Sequence, residues 1–129
     1  EQACRLQPNL VGAFADLGQA YHKARRYDRA IAAYQRALEL QPDLPVTRTK
    51  LGMAYANQGS LEQAIRVFEA VLSADSTQIE ARDALARVYA VQGHYEAAIA
   101  AWQTVLRLAP RHPRVASQIR LARKKLSEQ

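Results

Sequence analysis

The sequence predicts an all-α fold, an α-solenoid of three antiparallel helix hairpins closed by a C-terminal capping helix. Two observations carry this expectation. The chain falls on itself when shifted by 34 residues. Its hydrophobic fraction, 49%, is dominated by alanine and leucine, and only five glycines and five prolines interrupt 129 residues, a composition that favours helix over strand.

The register of the repeat is dense. Leu17, Leu51 and Leu85 align, as do Gly18, Gly52 and Ala86, then Tyr21, Tyr55 and Tyr89. Further on come Ala30, Ala64 and Ala98, then Ile31, Ile65 and Ile99, the aromatic set Tyr34, Phe68 and Trp102, and Leu38, Leu72 and Leu106. A hairpin of two helices cannot bury its apolar face alone, so successive hairpins must stack. The small residues are expected where two helix axes approach most closely. The leucines, tyrosines and the Tyr34/Phe68/Trp102 set are expected to fill the space between hairpins.

Taken in order, the elements are helices at about 11–24, 28–41, 45–58, 61–73, 79–92, 95–108 and 113–127. Pro45 and Pro113 suit first-turn helix positions, where a missing N–H is no loss. Thr77 with Glu80, and Ser60 with Gln63, have capping-box spacing. Gly59 and Gly93 mark the turns inside two hairpins, and Arg25 stands at the equivalent place in the first. The repeats are therefore 11–44, 45–78 and 79–112, with a capping helix at 113–129. Ala3, Leu6, Gln7 and Pro8 match Ala37, Leu40, Gln41 and Pro42 at the same offset. Residues 1–10 thus read as the tail of a truncated preceding repeat. That would leave an apolar edge near Val11 and Phe14, open to end-to-end self-association.

The run Phe14-x2-Leu17-Gly18-x2-Tyr21, then Ala30-x3-Tyr34 and Pro42, resembles the tetratricopeptide repeat (TPR) signature. The second copy departs from it at Arg48 and Ser76, the third at Arg82 and Ala86. The resemblance covers residues 11–112. The alanine- and glutamine-rich, arginine-over-lysine composition points to a bacterial source.

No apolar run reaches the roughly 18 residues of a membrane span, and no signal-peptide pattern opens the chain. A cytoplasmic location is the expectation. A periplasmic or membrane-associated one, through a missing N-terminal part, is the alternative. The single Cys4 is read as a buried structural thiol. His22, His94 and His112 are far apart in the repeat frame, and no Cys or His pair has metal-ligand spacing. Phosphate loops and nucleophile elbows are absent from the sequence. Neither an enzyme nor a cofactor is expected.

The net charge of +6 is concentrated late. Arg107, Arg111, Arg114, Arg120, Arg123, Lys124 and Lys125 occur without an intervening acid. That meets the first electrostatic criterion for nucleic acid. The same stretch has no aromatic residue on which a base could stack, so a protein partner is favoured.

The resemblance implies that first helices line a concave wall and that ligands touch a fixed set of their positions. Carried over, the partner-binding groove is Gln19, His22 and Lys23 from the first repeat; Lys50, Met53 and Asn57 from the second; Asp83 and Arg87 from the third; and Arg114 and Lys124 from the cap. The same carry-over also places Gly12, Ala15, Asp16, Val46, Thr49, Ala56, Glu80, Ala84, Ala90, Val91, Ser117, Gln118, Leu121 and Lys125 on the wall, whose charge is mixed with its positive excess toward the C-terminal end. Family members that clamp the C-terminal carboxylate of chaperones use Lys, Asn and Arg at positions occupied here by Ala15, Gln19, Lys50, Glu80 and Ala84. That pattern is not met, and Glu80 would repel a carboxylate. The expected function is a protein–protein interaction module, a scaffold or adaptor holding a peptide or helix whose acidic segment meets the basic end. The alternative is the partner-binding module of a larger enzyme or assembly factor.

Overall fold

The computed structural model describes residues 2–129, and the side-chain surroundings of residues 10–129. Seven α-helices and no strand are found among the described residues. They form two compact units, Glu1–Val67 and Phe68–Gln129. The first contains α1 (Gln2–Lys23), α2 (Tyr27–Leu40), α3 (Pro45–Gln58) and the first half of α4 (Leu61–Ala74). The second contains the rest of α4, α5 (Ile79–Val91), α6 (Tyr95–Leu108) and α7 (Val115–Ser127).

The 34-residue register reappears in the backbone. At the end of α1, Arg26 N–H donates to the Tyr21 carbonyl at 2.9 Å and Arg25 N–H to that of His22 at 3.0 Å. After α3 the same pair is Ser60 to Tyr55 (2.9 Å) and Gly59 to Ala56 (3.1 Å). After α5 it is His94 to Tyr89 (2.8 Å) and Gly93 to Ala90 (3.0 Å). This is the Schellman closure, which needs a left-handed residue just past the helix. Gly59 (φ 97°) and Gly93 (φ 84°) supply it freely, whereas Arg25 (φ 62°) adopts it with a side chain attached. An L-residue in that region is destabilised by roughly 1–2 kcal/mol. Arg25→Gly should therefore raise the melting temperature by a few degrees, after subtracting the extra chain entropy of glycine. A drop in melting temperature on thermal denaturation would show that the Arg25 side chain contributes more than its strain removes.

Packing follows the same register. Tyr34, Phe68 and Trp102 are 1%, 0% and 1% exposed, and Ala30, Ala64 and Ala98 are fully buried. In the first unit Ala30, Ile31, Tyr34, Leu38, Leu51 and Ala54 form one core, with Tyr21, Leu44, Tyr55 and Val67 against it. In the second, Trp102 and Val105 of α6 pack with Ala86 of α5 and with Val115, Ile119 and Ala122 of α7. The capping helix thus buries one face on α6 while its basic residues stay in solvent.

The two arginines that replace the signature aromatic share a structural task. Arg48 Nη2 donates to the Pro42 carbonyl at 2.9 Å, and Arg82 Nη2 to the Ser76 carbonyl at 3.0 Å. Each ties the start of a first helix to the loop six residues before it.

Several expectations are corrected. Helix α1 begins at Gln2 and runs through Pro8, where the register placed an inter-repeat loop. The side chains of residues 2–9, Cys4 included, lie outside the described set. Helix α7 begins at Val115, not Pro113, because Arg114 takes a left-handed conformation (φ 71°) as the N-cap residue and breaks the helical path. Neither capping box forms. Asp75 accepts from the Thr77 N–H (3.0 Å) and hydroxyl (2.6 Å) and from Gln78 Nε2 (3.1 Å), so the stronger anionic acceptor takes the hydroxyl meant for the helix. Those bonds, led by the Thr77 hydroxyl, hold the Asp75 carboxyl below its usual pKa. The Ser60 hydroxyl donates to Gln58 Oε1 at 3.2 Å instead. Val11 is buried, and the Phe14 ring is half-buried with the Arg36 guanidinium 5.6 Å from its centroid. Among the described residues, the large apolar side chains exposed on α1 are Leu10 (42%) and Leu17 (43%), one heptad apart on one face. Leu51 and Leu85, at the register of Leu17, are buried.

Candidate functional site

In the first unit, helices α1 and α3 hold their candidate side chains in two rungs. Lys50 Nζ donates to Gln19 Oε1 at 3.3 Å. One turn further along α1 and two turns further along α3, the Asn57 amide nitrogen lies 2.9 Å from His22 Nε2, so the amide donates to an unprotonated ring nitrogen. The His22 ring stands edge-on to Tyr27, with centroids 5.3 Å apart, and burial lowers its pKa. Met53 is half-buried, and Lys23 at the end of α1 is exposed. Gln19, His22, Lys50 and Asn57 are thus brought together across two helices. Thr49 is turned inward: it is buried, and its hydroxyl donates to the Pro45 carbonyl at 2.9 Å.

In the second unit, α5 and α7 flank a groove with two compartments. The polar one, about 70 Å³, is lined by Asp83 and Arg87 of α5, by His112, Pro113 and Arg114 of the preceding loop, and by Val115 and Gln118 of α7. The apolar one, about 220 Å³, is lined by Ala90, Val91, Tyr95, Trp102, Gln118, Leu121, Ala122 and Lys125. Gln118 belongs to both. Asp83 Oδ1 accepts from the Trp102 indole N–H at 2.8 Å, while Oδ2 lies 3.8 Å from Arg87 Nε. Its charge is therefore engaged inside the protein. Val91 and Leu121 are 74% and 52% exposed, unusually open for large aliphatic side chains.

Asp83, Arg87 and Arg114 meet in the polar compartment, whereas Lys124 is exposed and lines neither. Lys125, one residue on, lines the apolar compartment. Ala84 is buried. The sequence reading missed Tyr95 and Trp102 as groove-lining residues. The repeat register marks Trp102 as core of α6 and gives Tyr95 no role, and only the tertiary placement of α7 leaves them partly facing a hollow.

No group of three or more His, Cys, Asp or Glu side chains that could hold a metal is found among the described residues. No described helix is long and apolar enough to cross a membrane.

A family model for the cytochrome c-type biogenesis protein H TPR domain matches residues 4–115. The chain belongs to that TPR family. Its fold is accordingly the α-solenoid of hairpin repeats with a capping helix, and solved TPR structures agree. The first TPR domain of human RPAP3 superposes with a TM-score of 0.88 at 21% identity, covering 94% of this chain and 95% of that one. The TPR domain of Arabidopsis OM64 gives 0.84 at 17% identity, covering 92% and 98%. The second TPR domain of human RPAP3, solved with the HSP70 peptide SGPTIEEVD, gives 0.82 at 20% identity, covering 91% and 98%. No curated protein matches the TPR domain by sequence.

Proposed function

We propose that this TPR domain is a protein-interaction module whose first-helix faces hold a peptide or helix of a partner protein. The observation that carries this reading is the state of the polar side chains on those faces. Gln19 is bonded to Lys50, His22 to Asn57, and Asp83 to Trp102 and Arg87, as a preorganised surface. A surface of this kind binds through shape and charge and carries no general acid–base pair or nucleophile.

The family's name supports a more specific role. Its members are tied to biogenesis of c-type cytochromes, so the partner proposed is a protein handled during that assembly. The domain would then be the partner-holding part of an assembly factor. The second human RPAP3 domain carries a chaperone peptide, but the groups of a chaperone-tail clamp are not met here. Ala84 is buried, and Gln19 is already bonded to Lys50. A chaperone C-terminal tail is not the proposed ligand.

Selection of binders from a displayed peptide library tests the reading. Enriched segments should carry aspartate or glutamate, because the candidate faces carry Lys50 in the first unit and Arg87 and Arg114 in the second. The triple variant Lys50→Glu, Arg87→Glu, Arg114→Glu should weaken them by roughly tenfold to a hundredfold, more at low salt than at high. Affinity equal to that of the unmodified domain removes the charged wall from the interface. Failure to enrich any segment removes the module reading altogether.

A further inference from the structure

We infer that the groove between α5 and α7 recognises a peptide segment in which one leucine-sized apolar residue is flanked on both sides by carboxylates. The inference rests on the interaction-module reading and names what one part of that module takes.

The apolar compartment sets the central residue. At about 220 Å³ it falls below the roughly 300–1,000 Å³ of small-molecule and cofactor sites, and suits one or two apolar side chains. Val91 and Leu121 stand open on opposite helices at its mouth, so a guest side chain would cover apolar surface that the fold leaves in water.

Charge sets the flanks. The charged side chains lining the two compartments are Arg87, Arg114, Lys125 and Asp83. Asp83 is committed to the Trp102 N–H and to Arg87. Two cations, Arg114 and Lys125, remain without a carboxylate of their own in the groove. They stand at opposite ends of the α7 face, with Leu121 between them and Gln118 at the junction of the compartments. At about 1.5 Å per residue, Leu121 lies roughly 10 Å from Arg114 and 6 Å from Lys125 along the helix axis. An extended peptide advances about 3.3 Å per residue. The complementary segment therefore places one carboxylate about three residues to one side of the apolar anchor and another about two residues to the other. The Gln118 side-chain amide is free to bond the intervening peptide backbone.

The test uses the whole domain and a fluorescein-labelled, end-blocked peptide of sequence Asp-Ala-Ala-Leu-Ala-Asp, read by fluorescence anisotropy. Saturable binding is expected below about 1 mM. Exchanging the peptide leucine for serine, or Leu121→Ala in the protein, should each weaken binding roughly tenfold. The two changes together should cost little more than either alone, because they remove the same contact. Lys125→Gln should weaken binding and flatten its salt dependence. Leu121 is solvent-facing enough for its alanine variant to keep the circular dichroism and melting temperature of the parent.

Absence of saturable binding at about 1 mM, or equal binding of the serine peptide, overturns the inference. If Lys50→Glu abolishes peptide binding while Leu121→Ala and Lys125→Gln bind like the parent, the α5–α7 groove is not the site, yet the interaction-module reading stands. Dimerisation in sedimentation runs that is lost in Leu121→Ala would mean that a second copy occupies the hollow, which also overturns it.

Discussion

Trp102→Ala should destabilise the domain by about 3–5 kcal/mol, a large share of the roughly 5–15 kcal/mol that holds a domain folded. Trp102 is almost wholly buried, and its indole is the largest side chain in a core that joins α5, α6 and α7. Alanine leaves a cavity facing Ala86, Val115, Ile119 and Ala122, none of which can extend to fill it. It also removes the N–H that bonds Asp83 at 2.8 Å. The two losses separate in Trp102→Phe, which keeps most of the ring volume but strands the partly buried carboxylate. That variant should lose about 1–3 kcal/mol. Urea denaturation followed by circular dichroism measures both. A loss under about 1 kcal/mol for alanine would mean that α7 does not depend on the indole for its seat.

Gly18→Ala should destabilise by about 1–3 kcal/mol, although alanine is the better helix former. A Cβ built on Gly18 falls 2.6 Å from both Cδ1 and Cε1 of Tyr34. The Tyr34 ring is itself enclosed, so it cannot swing aside, and α1 and α2 must move apart instead. Gly12, six residues earlier on the same helix, has nothing within 4 Å of such a Cβ. Gly12→Ala should therefore stabilise by up to about 1 kcal/mol through helix propensity alone. One substitution type with opposite signs in one helix separates steric approach from backbone preference. Melting curves showing both variants shifted in the same direction would refute the close crossing of α1 and α2.

The domain carries its fold openly in its residues because each hairpin uses the same short-range chemistry at the same offset. The Tyr34, Phe68 and Trp102 burial and the three hairpin turns could all be anticipated from residues 34 apart. What stayed hidden was competition among partners. Thr77 has the spacing of a cap, but periodicity says nothing of the Asp75 carboxylate that captures its hydroxyl. Pro113 suits a helix start, but the left-handed turn at Arg114 moves that start to Val115. The candidate faces divide similarly. Gln19, His22, Lys50 and Asn57 could be placed by helix position, since each sits on a single helix at a fixed phase. The hollow beside Leu121 could not, because it depends on how far α7 stands from α5 over the Trp102 ring. No single-helix pattern encodes that distance.

The hairpin turns have one more consequence. Each first helix is sealed by main-chain groups only a few positions apart, and each seal hands over directly to the next helix: the Arg26, Ser60 and His94 carbonyls accept the first bonds of α2, α4 and α6 from Ala30, Ala64 and Ala98. Ordering therefore needs little long loop closure, and structure can begin at any of the three bends and spread outward. Such a chain should acquire its native form rapidly, on the microsecond-to-millisecond scale of local topologies. Its amide protons should exchange in a graded series, with loop and helix-end amides opening before those of the buried helix centres.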